Sequence, residues 1–313
     1  MAESGLWEDQ RMMTRNQKPS RQFAARDHRL RRARVLTFAI FAIWSIGASP
    51  GAAREWAVEC DEDYSQCGGS NLPDSCDLTD HMINEMNASL SNWQHGWYFK
   101  GANAWPQDWR ETATVFGGTD STYMDAIGRG DLAVWSGHGT GASNEPNGSW
   151  SMAFGHSHDG ACHTTSPAQI KLGEQANDGF GNDGDNEYVI MDASCSALEG
   201  ELDQVWQNWG PGILMRSHQG MAFHNSPDDV DDRLEEFIEN IDDGDSNRSA
   251  WLDAGESCFL WSCWNSPMII TFGSNSSDSN SRHFNETMRS PRGDPPSGWG
   301  GHYHWSFIDN GTC

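Results

Sequence analysis

The sequence predicts an α/β fold, a mostly parallel sheet with helices on both faces, and two observations carry that expectation. Two short apolar runs, Leu132-Ala133-Val134-Trp135 and Tyr188-Val189-Ile190-Met191, are each stopped by small and polar residues, as strands buried on both faces are. Segments with apolar residues at helical spacing alternate with such runs along the chain. That alternation of strand and helix is the pattern of a parallel sheet in a single α/β domain.

At the N-terminus, a basic stretch from Arg26 to Arg34 leads into the uncharged apolar segment Val35 to Gly47, followed by the small residues of Ala48 to Ala53. This order is that of a secretory signal peptide, with cleavage expected near Ala53. The 13 residues of the apolar segment fall short of the roughly 20 that a spanning helix needs. Export to a secreted, periplasmic or extracellular location is therefore expected rather than a permanent anchor. On this reading residues 1–53 are the leader, residues 54–272 the α/β domain, and residues 273–313, full of Ser, Asn, Gly and Pro, an irregular C-terminal extension.

Within the domain, Arg54 to Cys60 reads as a first strand, and Leu78, Met82, Ile83, Met86, Leu90 and Trp93 mark an amphipathic helix. Residues 95–130 are rich in Gly, Trp and Asp, with a strand at Trp97 to Lys100 the one element suggested there. The strand at Leu132 runs out into Ser136-Gly137-His138-Gly139, and Thr140 to Glu187 is too long and polar for an ordinary connection, which marks it as a functional or inserted loop. The strand at Tyr188 ends at Asp192-Ala193-Ser194-Cys195. Leu198, Leu202, Val205, Trp206 and Trp209 then predict a helix that opens at Cys195. Pro211-Gly212 closes it, Ile213-Leu214-Met215 suggests a third buried strand, and Val230, Leu234, Phe237, Ile238 and Ile241 a further helix.

Charge excludes some partners. The chain has 20 basic and 45 acidic residues, and the first 53 residues hold nine of the basic and four of the acidic ones, so 11 face 41 in the mature protein. Such a field repels nucleic-acid phosphates and anionic membrane surfaces, so neither is an expected partner after leader removal. Eight cysteines in an exported chain predict disulfides. Cys60, Cys67 and Cys76 cluster, Cys258 and Cys263 lie close together, and Cys162, Cys195 and Cys313 stand apart. A free Cys195 leaves an odd number for pairing, whereas four bridges would use them all.

The strand ends carry the chemistry. In parallel sheets ligands bind beyond the carboxyl ends of the strands, where His138 and Cys195 both fall. A thiol is a nucleophile only as thiolate, and a helix N-terminus favours that anion through its dipole and its unpaired N–H groups. The same groups can hold an oxyanion, and His138 can protonate a leaving amine. Ser-Gly-His-Gly at one strand end and Asp-Ala-Ser-Cys at the next resemble the paired His-Gly and Ala-Cys motifs of the cysteine peptidase clan that holds caspases, legumains, clostripain, gingipains and metacaspases. Gly212 to Phe223, the Val230 helix and Ser249 to Ala254 also resemble a group of secreted bacterial proteins with the same two motifs. The resemblance covers roughly residues 54–272. It implies a caspase-hemoglobinase-like fold and a peptidase with a polypeptide substrate and no cofactor. His138 and Cys195 would be the catalytic dyad, and the backbone N–H groups of Gly139 and Cys195 the oxyanion site. Several members carry an acidic residue or Gln two positions before the cysteine; here that position is Ala193, and Asp192 one step back is the candidate for a substrate pocket that accepts Arg or Lys.

Three rival readings follow from other residues. His156, His158, Asp159, Cys162 and His163 offer five metal ligands within eight residues, so a zinc-dependent hydrolase using His156, His158 and His163 is one alternative, against a polar loop with Cys162 in a disulfide. The acidic clusters at Asp183 to Glu187 and Asp242 to Asp245 suit calcium by ligand type but fit no EF-hand spacing. Fourteen tryptophans in the mature chain, Trp251, Trp261 and Trp264 among them, suggest a secreted binding protein that keeps the fold without activity.

Overall fold

The computed structural model describes residues 54–109, 131–140, 151–156, 161–165, 187–192, 217–256, 258–259, 262–292, 302–308 and 310. All belong to a unit that spans Pro50–Cys313. The leader and cleavage site expected within residues 1–53 lie outside the described residues. Among the described residues no helix is long and apolar enough to cross a membrane.

Among the described residues the main sheet has seven strands: β1 (Arg54–Cys60), β2 (Trp93–Lys100), β3 (Leu132–Ser136), β7 (Tyr188–Asp192), β8 (Gln219–Phe223), β11 (Pro267–Gly273) and β12 (His302–Phe307). Their order is β12-β11-β8-β7-β3-β1-β2. The pairs β1/β2, β1/β3, β3/β7 and β7/β8 are parallel, while β11 lies antiparallel to both β8 and β12. The sheet is thus mixed and mostly parallel, as expected, in an α/β architecture. The expected long loop 140–187 carries a second, antiparallel sheet of β4 (Gly139–Thr140), β5 (Ser151–Phe154) and β6 (His163–Thr165). A two-stranded ribbon, β9 (Cys258–Phe259) with β10 (Ser262–Cys263), completes the strands among the described residues.

Period-two alternation divides the buried apolar residues of the central strands between two cores. Trp56, Val58, Leu132, Val134, Tyr188, Ile190, Met221, Phe223 and Ile269 meet the helices α1 (Ser75–Ser89), α3 (Arg233–Asp243) and α4 (Asn247–Gly255). On α1 the buried residues Leu78, Met82 and Met86 recur every fourth position, and α3 answers with Leu234, Phe237, Ile238 and Ile241. Trp251 of α4 is fully buried, and its indole N–H lies 3.0 Å from the Met268 carbonyl and 3.3 Å from that of Ala222, so one side chain links β11 and β8. The opposite core contains Ala57, Ala133, Trp135, Val189, Met191, Ala222 and Ile270. Among the described residues it is covered by Trp109 of the one-turn helix α2 (Pro106–Trp109) and by Met152 and Phe154 of β5. Strands buried on both sides read as continuous apolar runs, which is why β3 and β7 were visible in the sequence.

Two expectations are corrected. The segment 273–313 is not an irregular extension: it supplies α5 (Ser276–Asn285) and the edge strand β12. Its helix is held by polar burial, which apolar periodicity does not register. His283 is fully buried between the Thr271 and Ser306 hydroxyls at 2.9 and 2.8 Å. Glu286, just past the helix, accepts from the Tyr188 hydroxyl at 2.9 Å and lies 2.8 Å from Nε2 of His218, the residue before β8. The helix expected from Leu78 to Trp93 also stops earlier, at Ser89, and Trp93 begins β2. The expected strand at Ile213 to Met215 and the helix at Leu198 to Trp209 lie outside the described residues; the strand beside β7 is β8, Gln219–Phe223.

Glu59 of β1 is fully buried and accepts a hydrogen bond from the Trp109 indole. Burial, reinforced by the neighbouring Asp108, pushes its carboxyl well above its ordinary value of 4.5. A carboxyl raised in the folded state stabilises most below its unfolded pKa, and that contribution is lost as pH rises towards the folded value. Glu59→Gln, neutral at every pH, is therefore expected to be more stable than the wild type at pH 8. The advantage should disappear at about pH 4, as read by urea unfolding midpoints across pH; an advantage that grows on acidification would contradict the assignment.

Candidate functional site

β3 delivers His138 through Ser136 and Gly137. A Cβ on Gly137 would sit 2.6 Å from the Trp135 ring and 2.6 Å from the Tyr64 hydroxyl, so only glycine lets the chain turn between them. The His138 N–H donates to the Tyr64 hydroxyl at 2.9 Å, and the two rings meet edge-on with centroids 4.6 Å apart. Tyr64 is 2% exposed, and its burial, reinforced by Asp61, pushes the phenol well above its usual value and keeps it neutral. The His138 ring is oriented by Nε2, which lies 2.8 Å from the Ser70 carbonyl oxygen. A carbonyl only accepts, so that contact assigns the proton to Nε2 and leaves Nδ1 as the basic nitrogen of the neutral ring.

The next strand is in register with the first. Ser136 pairs with Asp192, and the Gly137 N–H reaches the Asp192 carbonyl at 3.4 Å. The two motif-bearing strand ends are therefore direct neighbours. Cys195 itself, with residues 193–216, lies outside the described residues, as does the helix expected to open at it. Gly139 begins β4 opposite Met152, and the His138 carbonyl accepts from Ala153 N–H at 2.9 Å, which ties the histidine segment into the small sheet.

Asp192 has an internal partner that the sequence did not reveal. It is fully buried, and Arg233 at the start of α3 is 1% exposed. Arg233 Nε lies 3.0 Å from each carboxylate oxygen, and Nη2 lies 2.6 Å from Oδ1. The guanidinium also donates to the Asp228 carbonyl at 2.9 Å and lies 4.8 Å from the Phe223 ring centroid. A carboxylate matched this fully by arginine has little charge left for a cationic substrate side chain. Its evident role is to dock the α3 N-terminus onto the end of β7.

A third strand end carries Asp61, fully buried just beyond β1. Its Oδ2 accepts from Gly155 N–H at 2.6 Å and its Oδ1 from Asp63 N–H at 3.3 Å, while His156 Nδ1 stands 3.4 Å from Oδ1. Burial nonetheless pushes the Asp61 carboxyl above its usual value. Disulfides join Cys60 to Cys76 and Cys67 to Cys162. The second removes Cys162 from any ligand set and matches the polar-loop reading of that segment. His163 begins β6 opposite Phe154, and His158 lies outside the described residues. Among the described residues, the group of potential ligands whose atoms lie within 4.8 Å of one another is Glu85, Glu235 and Glu239, on α1 and α3. In the other acidic cluster, Asp242 pairs with Arg289 at 3.3 Å and Gly244 is the left-handed cap of α3, at φ 105°.

Tyr64, Ser70 and Asp61 escaped sequence reasoning. Ser70 acts through its backbone, which has no residue signature, and Tyr64 is a lone aromatic in a polar loop. The Asp192–Arg233 pair gives a direct test of how the strand end is held. Arg233→Met is expected to cost about 3–5 kcal/mol in unfolding free energy, because it leaves a buried carboxylate unpaired. The double variant that also carries Asp192→Leu should regain much of that loss; equal stability of Arg233→Met and wild type would contradict the pairing.

Among curated proteins nothing matches the chain. One family model does, that of a domain of unknown function, DUF6345, over residues 55–305. The matched span runs from the second residue of β1 into β12 and contains both strand-end motifs. The protein thus belongs to the DUF6345 family, with nearly all of its described sheet inside the family's own boundaries.

Proposed function

We propose that this protein is an exported cysteine endopeptidase of the caspase and gingipain type, with Cys195 as nucleophile and His138 as its acid–base partner. The observation that carries the reading is the parallel register of β3 and β7, which aligns Ser136 with Asp192. His138 lies two residues beyond the first and Cys195 three beyond the second, at the end of the sheet where α/β proteins hold their ligands. The Ser70 carbonyl supports it further by leaving His138 Nδ1 free for proton transfer. Two disulfides support an oxidising compartment.

On this reading His138 Nδ1 takes the Cys195 thiol proton, and the thiolate attacks the scissile carbonyl carbon to form a C–S bond. Backbone N–H groups at Gly139 and Cys195 receive the oxyanion. The imidazolium returns its proton to the leaving amine as the C–N bond breaks. Water then gives a proton to Nδ1, attacks the thioester and releases the acid and the thiolate. The engagement of Asp192 by Arg233 removes the residue-level argument for cleavage after Arg or Lys, so the substrate class proposed is polypeptide without a charge preference.

Hydrolysis of a denatured protein and of a mixed peptide library is the test. Cys195→Ala is expected to abolish turnover and His138→Ala to reduce it by roughly 10²–10⁴-fold, with unfolding transitions like the wild type's. Turnover that survives Cys195→Ala would overturn the reading.

A further inference from the structure

The segment between β1 and α1, from Asp61 to Asp74, supplies both groups that hold His138. Tyr64 accepts its backbone N–H, and the Ser70 carbonyl accepts from Nε2. Yet the segment has little apolar anchorage of its own. Ser65, Gln66 and Gly68 through Asn71 are exposed, Gly68 takes the left-handed conformation at φ 71°, and Tyr64 is its buried apolar side chain. Internal hydrogen bonds shape it: Leu72 N–H to the Glu62 carbonyl at 3.0 Å, and Tyr64 N–H to the Asn71 side-chain oxygen at 3.0 Å. Besides its hydrogen bonds to His138, the covalent tie of its tip to the rest of the fold is the Cys67–Cys162 bond, which joins points 95 residues apart. Cys67 lies against the carbonyls of Phe154 and Gly155, next to the β5 end that also receives Asp61.

The two disulfides differ in access. Cys60 and Cys76 are fully buried, and their bond closes the segment at its base. Cys162 is exposed and Cys67 half-buried. Thiol exchange needs an approach to sulfur, so a mild thiol reductant reaches the outer bond first.

We propose that the Cys67–Cys162 disulfide is a redox-sensitive strap that sets the working orientation of His138 through Tyr64 and Ser70, so that opening it disengages the imidazole while the sheet stays folded. The inference rests on reading His138 as the acid–base group. Opening is a two-electron step: two thiols of the reductant give up two electrons and two protons and end as a disulfide, the Sγ–Sγ bond breaks, and Cys67 and Cys162 end as thiols. Tyr64 and Ser70 are positioning residues on this reading, since each acts through its hydrogen bond to His138. A nucleophilic Cys195 has to stay reduced while the strap stays oxidised, so activity should peak at intermediate reductant and fall beyond it.

The test combines nitrogen NMR of histidine-labelled protein with turnover. Cys67→Ser/Cys162→Ser is expected to convert His138 from a fixed Nε2–H ring to a mixture of tautomers. It should lower kcat by roughly 10²-fold, the scale on which misplacing a catalytic group acts, with KM little changed and cooperative unfolding retained. Should that variant fold poorly, graded dithiol treatment of the wild type serves instead, with mass spectrometry to show Cys67 and Cys162 opened and Cys60–Cys76 intact; loss of turnover reversed by reoxidation is expected. A His138 ring that keeps its tautomer after the strap is opened overturns the proposal, whether or not the protein hydrolyses peptides. Hydrolysis that depends on Cys195 but ignores the strap sinks this proposal and leaves the peptidase reading standing; a tautomer change without any hydrolysis does the reverse.

Discussion

The register of β3 against β7 is the constraint on which the rest of the site depends. Both strands are buried along their whole length, so a slip of one residue would turn Trp135 and Met191 from one core into the other. That cost locks Ser136 opposite Asp192 and makes the two strand ends neighbours. The locking is reinforced at the ends themselves. The Ser75 and Ser136 hydroxyls lie 3.0 Å apart, joining α1 to β3, and the Asp192–Arg233 pair joins β7 to α3. The sheet thus holds Ser136 and Asp192 side by side, each tied to a helix, at the points where the two motif-bearing strands end.

Electrostatics follows the same division. The chain is strongly acidic, with 45 acidic residues against 20 basic ones, a balance that bears on solubility and association rather than on the fold. The groups that shape the structure are the few charges inside. Asp192 is matched by arginine and Glu286 by His218, while Glu59 has burial against it and an indole as its donor. Asp61 lies between: fully buried, satisfied mainly by backbone N–H groups, and close to His156. Each of these sits at a strand end or at a helix-to-sheet contact, where a polar group can be buried and still find partners.

How much of this was legible in the sequence depends on the kind of force involved. β3, β7, α1 and α3 were legible because they are held by apolar burial, which leaves a period in the sequence. α5 and β12 were not, because His283, Arg282 and Glu286 are buried through hydrogen bonds that follow no period. Disulfides were expected from cysteine count and export, yet their pairing depends on β1, α1 and the small sheet meeting in space. The position of His138 beyond a strand was readable; its partners were not, since a carbonyl at Ser70 could belong to any residue. Asp192 stands out in the sequence by its charge, but its neutralising partner lies 41 residues further along, on an element whose docking has no local pattern.

The central claim is that Cys195 is a free, activated thiol served by His138. The most direct measurement is the rate at which an alkylating probe labels Cys195 as a function of pH, in the wild type and in His138→Ala. The account predicts selective labelling of Cys195, with a thiolate already present well below the free-thiol value of about 8.5, and slower labelling in the variant. A native disulfide at Cys195, or labelling that follows the ordinary thiol titration and ignores His138, would contradict it.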